Sequence, residues 1–407
     1  MKKKCRICSG KIISILNFKK VALSGSFLKK ENIIKEKKYK LSAGVCENCK
    51  HFQIENLVNP KKLFSHYIWE TGVSKKNIEL IIELLKNLKF RYKLNNKSKV
   101  FEIASNDGVL LKEAKKKYNC NVLGIDPAKN LLKIAKKNNI NTLIDFFSYK
   151  CSKKIIKKFG KFDFCIARNV IAHTPNPNDI FKGAENLLSS KGIFIVEVPH
   201  LENIFRDNQY DNIFHEHVGF HSVQSIKDLC SKNNLRLINV EKVDSQGGSI
   251  RCFIAKKNRK IKINKNLDLM IMREKKIGLF KLKTWFEFSK RVEKHKTFLN
   301  EYLKKLKKND NKISAYGASG KGQALLQICD IGKYLDNIYD KSKLKQGLYT
   351  PGTHIKIANP QKISIKNTDY LLLLSWNLAK EIANQESVFI KKGGKLVVPF
   401  PMPHVFK

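Results

Sequence analysis

Four cysteines are spaced for metal binding. Cys5-x-x-Cys8 and Cys46-x-x-Cys49 are two short motifs separated by a long loop. Each lets two thiolates reach one ion from a tight turn, and four such ligands make a tetrahedral zinc cage. Gly10 and Asn48 are suitable residues for those turns. Four protein ligands leave no open coordination position, so this zinc is expected to be structural. His51 is a spare neighbour that the cage does not need. The other six cysteines, Cys120, Cys151, Cys165, Cys230, Cys252 and Cys329, mostly sit in apolar or strand-like context and read as buried thiols.

A second cluster is Tyr210-Asp-Asn-Ile-Phe214-His215-Glu216-His217. Two histidines flanking a carboxylate suit a metal pair, an acid–base group or a hydrogen-bond network. The histidines lack the i, i+4 spacing of a zinc protease helix. In an extended segment His215 and His217 share a face and Glu216 points away. That keeps a shared metal open, but no third ligand is evident, and histidine titrates near neutral pH, so a general base is the expected role. His173 follows another strand, in Arg168-Asn169-Val-Ile-Ala-His173.

Alternating strands and helices must position these groups. The apolar stripe of Ile78, Leu80, Ile81, Leu84 and Leu85 predicts a helix over Asn77–Leu88. Strands are expected at Lys99–Ile103, Val122–Ile125, Thr142–Ile144, Phe162–Ile166 and Gly192–Val198, with a helix running to about Lys137. Such alternation gives an α/β fold with an open, mainly parallel sheet. Residues 260–310 read as polar and helical. A second αβ unit starts at Lys312–Tyr316, with later strands at Tyr370–Leu374 and Lys395–Val398. We divide the chain into 1–75, zinc-binding with polar connections; 76–258, the doubly wound sheet; 259–310, a helical connector; and 311–407, a Rossmann-like unit.

The first strand ends in Glu102-Ile-Ala104-Ser-Asn106-Asp107-Gly108, and the second in Gly124-Ile-Asp126. Ligands of doubly wound sheets sit at such strand ends, where an acidic residue accepts hydrogen bonds from ribose hydroxyls. GxGxxG is absent. The pattern resembles S-adenosylmethionine methyltransferases, with Ala104 in place of their usual first glycine. Asp145, at the third strand end, is a candidate adenine contact. In the second unit, Tyr316-Gly-Ala-Ser-Gly-Lys321-Gly322 follows a strand and opens a helix, so its amides can meet a phosphate. Asp340 ends the next strand, where a carboxylate often meets a ribose.

Taken in order, the motifs resemble the family of S-adenosylmethionine-dependent C-methyltransferases of nucleotide-linked ketosugars. They are the paired CxxC, Glu102-Ile-x-Ser-Asn-Asp-Gly108, Asn169-Val-x-Ala-His173, His215-Glu216-His217, Gly247-Gly-Ser-Ile-Arg251, Tyr316–Gly322 and Lys345-Gln-Gly-x-Tyr-x-Pro-Gly-Thr-His354. They span almost the whole chain.

The resemblance implies a class I methyltransferase sheet between a zinc-binding domain and a Rossmann-like domain. It implies a thymidine-diphosphate-type 4-ketosugar as substrate and an enolate attacking the methyl group. His217 matches the family's base, Glu216 assists, and His173 holds the enolate oxygen or the ketone. Asn169 joins Glu102, Ala104, Asn106, Asp107, Gly108, Asp126 and Asp145 at the cofactor. Phe214, His215, Arg251, Tyr316, Lys321 and Asp340 are assigned to the substrate, with Lys321 beside its diphosphate. Residues 347–354 read as a loop over the cleft. Two departures stand out. Phe214 replaces the usual tyrosine, and Tyr67-Ile-Trp69-Glu-Thr-Gly72 stands where the family has Tyr-x-Tyr-x-Ser-Ser. Tyr67 can still be the active-site phenol.

Composition sets the limits. The 407 residues carry a net charge of +45, yet only 9 of the 80 basic residues are arginine. Arginine is the usual residue for bidentate phosphate and base contacts. Lysines spread through every segment read as solvated faces, so no nucleic-acid partner is expected. An RNA methyltransferase is the alternative that would use the charge, and an inactive nucleotide-sugar-binding relative is the alternative that Phe214 suggests. No apolar run approaches a membrane span. The start Met1-Lys2-Lys3-Lys4 is followed by Cys5-Arg6-Ile7-Cys8 and Lys11, which break any apolar signal core. A cytoplasmic location is expected, with the oligomeric state open and a monomer compatible.

Overall fold

Short apolar runs bounded by polar turns form buried strands here, and the computed structural model, which describes residues 4–406, arranges them in three sheets. Met1–Lys3 of the basic start, and Lys407, lie outside the described residues.

The central sheet holds β4 (Lys99–Ile103), β5 (Asn121–Ile125), β6 (Thr142–Leu143), β7 (Phe162–Arg168), β8 (Leu188–Pro199), β10 (Leu235–Val243) and β11 (Ser249–Lys256), in the order β10-β11-β8-β7-β4-β5-β6. β5, β4, β7 and β8 pair in parallel, and β11 runs antiparallel to both neighbours. The strand order reverses between β4 and β7, which opens a crevice at their carboxyl ends. This is the expected α/β doubly wound sheet. The helix Lys75–Tyr92 covers one face, burying Leu80, Ile81, Leu84, Leu85 and Leu88. Ser74 caps its start, and Lys93 ends it in the left-handed conformation.

The second αβ unit holds β12 (Ile313–Tyr316), β13 (Ile338–Tyr339), β14 (Ile357–Ala358), β15 (Tyr370–Leu373), β16 (Lys395–Val398) and β17 (His404–Val405), in the order β14-β13-β12-β15-β16-β17. All but the last pair are parallel.

Residues 12–54 depart from the expected polar connections. They form an antiparallel sheet of β1 (Ile12–Ala22), β2 (Lys38–Cys46) and β3 (Phe52–Ile54), completed by β9 (Gly219–Phe220) from far along the chain. The cross-strand partner of β3 is remote in sequence, and lysines mask the buried positions of β1 and β2.

One hydrophobic core crosses all four segments drawn from sequence. It joins Phe18 and Phe52 of the N-terminal sheet, Phe205 and Phe220, the helix Leu282–Lys308, and Ile313 and Phe400 of the second αβ unit. That helix buries Trp285, Phe288, Val292, His295, Leu299 and Leu303, a stripe at helical spacing. Trp285 stacks on Phe52 at 4.5 Å and donates its indole N–H to the Leu279 carbonyl. His295 bridges the Tyr210 hydroxyl and the Pro399 carbonyl, each at 2.8 Å. The loop at 347–354 is tied to the N-terminal segment. Leu28 and Tyr349 exchange backbone hydrogen bonds, and Glu36 accepts from the Gly352 amide and from His354. Among the described residues, no helix is long and apolar enough to cross a membrane.

Trp285 fills the junction between these layers. Trp285→Ala should lower the unfolding free energy by about 3–5 kcal/mol, as buried aromatic deletions do, measured by urea denaturation.

Candidate active site and zinc knuckle

The two CxxC turns close symmetrically. The Ser9 amide donates to the Cys5 carbonyl and the Lys50 amide to the Cys46 carbonyl. The left-handed residues are Ser9 and Lys50, rather than Gly10 or Asn48. Gly10 serves by close approach, since a Cβ there would lie 2.8 Å from Asn48 Nδ2. The ligand atoms of Cys5, Cys8, Cys46 and Cys49 all lie within 4.8 Å of one another, and His51 is outside the group. Thiols this close have one sulfur cage to fill, which fits tetrahedral zinc. The knuckle packs on the central sheet, because Cys5, Ile7 and Cys46 belong to the same core as Phe101 and Val196.

At the central crevice, β4 ends in a tight loop. Ala104, Asn106 and Gly108 all have positive φ, so the backbone turns sharply around a ligand-sized space. Asp126 holds the loop by accepting from the Asn106 and Ala128 amides, each at 2.8 Å. Glu102 is buried with Oε2 unpartnered, and its proton affinity is raised well above the carboxylate range by burial. Asn169, after β7, has positive φ and a buried Oδ1 without a partner. Unpartnered acceptors beside the Asp126 carboxylate fit a ligand rich in hydroxyl and ammonium donors, as S-adenosylmethionine is. Asp145 is separate: it is exposed and accepts from its neighbour's amide, at Phe146.

A strap crosses this loop. Asn130 exchanges hydrogen bonds with the Tyr67 backbone at 3.0 and 2.7 Å. Asn106 bonds the Trp69 carbonyl and Thr71, and Asp107 accepts from the Gly72 amide. The strap carries Tyr67 inward. Burial, then the charges of Glu216 and Asp126, raise its phenol's proton affinity.

The histidine cluster is built on a turn. The His217 amide donates to the Phe214 carbonyl, so residues 214–217 reverse direction instead of extending. The expectation that His215 and His217 share a face therefore fails. His215 points to the N-terminal sheet, edge-on to Tyr39 with Nε2 at 3.3 Å from the Lys40 carbonyl. His217 lies 4.8 Å from His173, ring to ring, and 4.2 Å from Phe214. His217 Nδ1 is 2.8 Å from the Asn212 carbonyl, and His173 Nδ1 is 2.8 Å from the Glu216 carbonyl. Carbonyls only accept, so both rings carry their proton on Nδ1 and present a bare Nε2. Burial lowers both, His173 to about 4 and His217 well below the ordinary value. Neutral His173 in this tautomer presents an acceptor at Nε2, where holding a ketone or enolate oxygen needs a donor.

Glu216 supplies what His173 lacks. It is buried, Oε1 accepts from the Gly25 amide at 3.0 Å, and Oε2 has no partner. Burial pushes its carboxyl up to about 7, so near neutral pH it can hold a proton and donate. Gly25 carries no sequence signal of a site residue; the fold brings its amide to Glu216.

The second αβ unit meets this cluster through Gly320 and Lys321. A Cβ on Gly320 would touch the Phe214 ring at 3.3 Å. Lys321 is buried, with Nζ 2.5 Å from the Gln246 carbonyl, and burial lowers its proton affinity against the pull of Asp211. Asp211, unassigned from sequence, accepts from the Trp376 indole at 2.7 Å. Asp340 holds its own loop as Asp126 does, accepting from Ala318 at 2.7 Å and Ser342 at 2.8 Å. Two assignments are corrected. Arg251 is wholly buried in the central sheet, paired with Glu197 at 3.0 Å, because strand pairing sets it opposite that carboxylate. Tyr316 packs into the core beside Tyr339 and Leu371.

Residues 5–64 match a model described as "Putative zinc binding domain", residues 73–240 a "Methyltransferase domain", and residues 244–401 a "C-methyltransferase C-terminal domain". The chain is 31% identical over 404 residues to C-methyltransferase NovU of Streptomyces niveus, covering 98% of this chain and 96% of that one. The chain belongs to the C-methyltransferase family. It is an S-adenosylmethionine-dependent C-methyltransferase with a four-cysteine zinc site. Solved structures similar to part of this C-methyltransferase include magnesium protoporphyrin IX methyltransferase from Synechocystis with bound S-adenosylmethionine (12% identity, 44% of this chain, 80% of that chain, TM-score 0.34). A methyltransferase from Anabaena variabilis is another (14% identity, 43% and 83%, TM-score 0.36).

Because Glu216 rises from 4.5 to about 7 on folding, the folded state gains from its protonation. That stability is complete below pH 4.5 and is lost as pH rises through about 7. Glu216→Gln should remove this slope and leave the variant more stable than wild type at pH 8, by at most about 3 kcal/mol, read from denaturation at several pH values.

Proposed function

We propose that this C-methyltransferase methylates the carbon beside the ketone of a nucleotide-activated 4-ketosugar, of the thymidine-diphosphate type. The observation that carries the reading is the His173–His217 pair, two half-buried imidazoles 4.8 Å apart that each leave Nε2 bare, beside Lys321 of the second αβ unit. A C-methyltransferase must first remove a proton from carbon, and that needs a neutral, oriented base.

In this reading S-adenosylmethionine, when bound, supplies the electrophilic methyl group. Glu102, Asp126 and Asn169 hold its polar groups, with the loop 104–108 as its bed. His217 Nε2 takes the proton next to the ketone. The bond from Nδ1–H to the Asn212 carbonyl fixes the tautomer and supports the imidazolium that forms. The negative charge moves to the ketone oxygen, where the phenol of Tyr67 and the protonated carboxyl of Glu216 are the donors. His173 Nε2 accepts from a sugar hydroxyl. Phe214, standing where a tyrosine is usual, makes an apolar wall against His217 and so shapes sugar preference.

The diphosphate belongs, on this reading, at the start of the helix Gly320–Ile328, where Ser319 caps the Gly322 amide and leaves the Gly320–Lys321 end to the anion. Lys321 and Asp340 sit at that end of the second αβ unit. A bound diphosphate brings negative charge toward the histidines, which raises the basicity that burial lowers. The strap and residues 345–354 limit water at the reacting carbon, so exchange with solvent runs through the proton carried by His217.

With S-adenosylmethionine and a dTDP-4-keto-6-deoxysugar, the protein should give a product heavier by one methyl in place of one hydrogen. In deuterated buffer it should exchange the hydrogen beside the ketone. His217→Ala should slow that exchange by about 100-fold or more. Exchange at the wild-type rate in the variant would give the base role to another group.

A further inference from the structure

Arg6 lies between two zinc ligands, yet its side chain leaves the knuckle. Its guanidinium Nη1 donates to the Ile54 carbonyl at 2.8 Å and to the Val218 carbonyl at 3.4 Å. Its own backbone is fixed on both sides. The amide donates to Gln53 Oε1 at 3.1 Å, and the carbonyl accepts from Asn178 at 2.9 Å.

Val218 is the residue after His217. Its amide donates to the Ala172 carbonyl at 2.6 Å, and its carbonyl accepts from the Ile54 amide at 3.1 Å. Ala172 in turn precedes His173. One residue therefore sets the spacing of both histidines, and it is anchored to the N-terminal sheet at the edge where β3 pairs with β9. That ladder is two pairs long, Phe52↔Phe220 and Gln53↔Gly219. A short ladder frays easily, and an ionised donor shared by a carbonyl from each side closes its end more firmly than neutral bonds do.

The placement of Arg6 makes the link to the metal. The Cys5–Cys8 turn holds its backbone still once four thiolates share an ion. The guanidinium then projects from a rigid base. Metal sites are held by the groups around them; here the geometry runs outward, from the knuckle to the reacting groups.

We propose that Arg6 is a positioning residue for the methyl-transfer site, through which the zinc knuckle holds Val218 and so sets the distance between His217 and His173. The inference rests on the reading that these histidines are the reacting pair. Arg6 touches neither substrate nor cofactor in this scheme.

The test uses the full chain with Arg6→Ala and Arg6→Lys. Bound zinc is measured by elemental mass spectrometry and S-adenosylmethionine affinity by calorimetry. Long-range proton–nitrogen spectra of the histidine side chains report the Nδ1–H tautomers of His173 and His217, each assigned by its own His→Gln variant. Turnover uses a dTDP-4-keto-6-deoxysugar as probe. In Arg6→Ala, zinc and cofactor affinity should stay at wild-type values, and the two Nδ1–H resonances should broaden or shift. The kcat should fall by about 100-fold with KM little changed, since small displacements of reacting groups cost that much. Arg6→Lys, which keeps a cationic donor, should recover part of both. Unchanged histidine spectra in Arg6→Ala overturn the proposal, and so does loss of the spectra only together with loss of zinc. If the probe sugar is not turned over by wild type, the substrate reading fails while the spectra still decide on Arg6. Should Arg6→Ala not fold, Arg6→Met, which keeps the stem and loses the donors, decides by the same spectra.

Discussion

The backbone of Val218 joins three parts of the molecule that sequence keeps far apart. Its amide is bonded to the turn carrying His173, and its carbonyl to Ile54 and Arg6 of the N-terminal sheet. His217 is its neighbour in the chain. If this peptide moved, the two imidazoles would lose their common frame, and the tautomers fixed by Asn212 and Glu216 would no longer face one space. The zinc knuckle, the sheet edge and the turn over 214–217 are all arranged around that constraint. A small, lysine-rich N-terminal sheet earns its place in an enzyme by holding this junction.

The site is electrically quiet in a chain that is not. Burial pushes Glu102, Glu216 and Tyr67 toward their protonated forms, and His173 and His217 toward theirs without the extra proton. The ordering suits chemistry that starts from neutral partners and creates charge only as a proton leaves carbon. The net charge of +45 lies in lysines that remain largely on the surface; buried Lys321 is the exception, and its charge adds to the lowering of His217.

How much of this was legible in the sequence follows from how local each signal is. The strands at Lys99, Asn121 and Phe162 are apolar runs whose burial needs no distant partner, and they were readable. So were the strand-end carboxylates Glu102, Asp126 and Asp340, and the paired CxxC turns. The N-terminal sheet was hidden because its last strand, β9, comes from residues 219–220. The orientation of His215 was hidden because a reversing turn looks like an extended run until its hydrogen bond is known. Arg251 sits in a motif with glycines that suggest a ligand, but strand register puts it opposite Glu197. Gly25 and Asp211 carry no signal of their own; each matters because of what the fold brings to it.

The apolar core spans the N-terminal sheet, the helix Leu282–Lys308 and the second αβ unit, while the central sheet is packed between its own two cores. Segments that composition separates cleanly thus share one interior. A chain divided after residue 75 or after residue 258 would put Phe52 on one piece and Trp285 and Phe288 on the other. A recombined chain would have to carry both halves of that interior together.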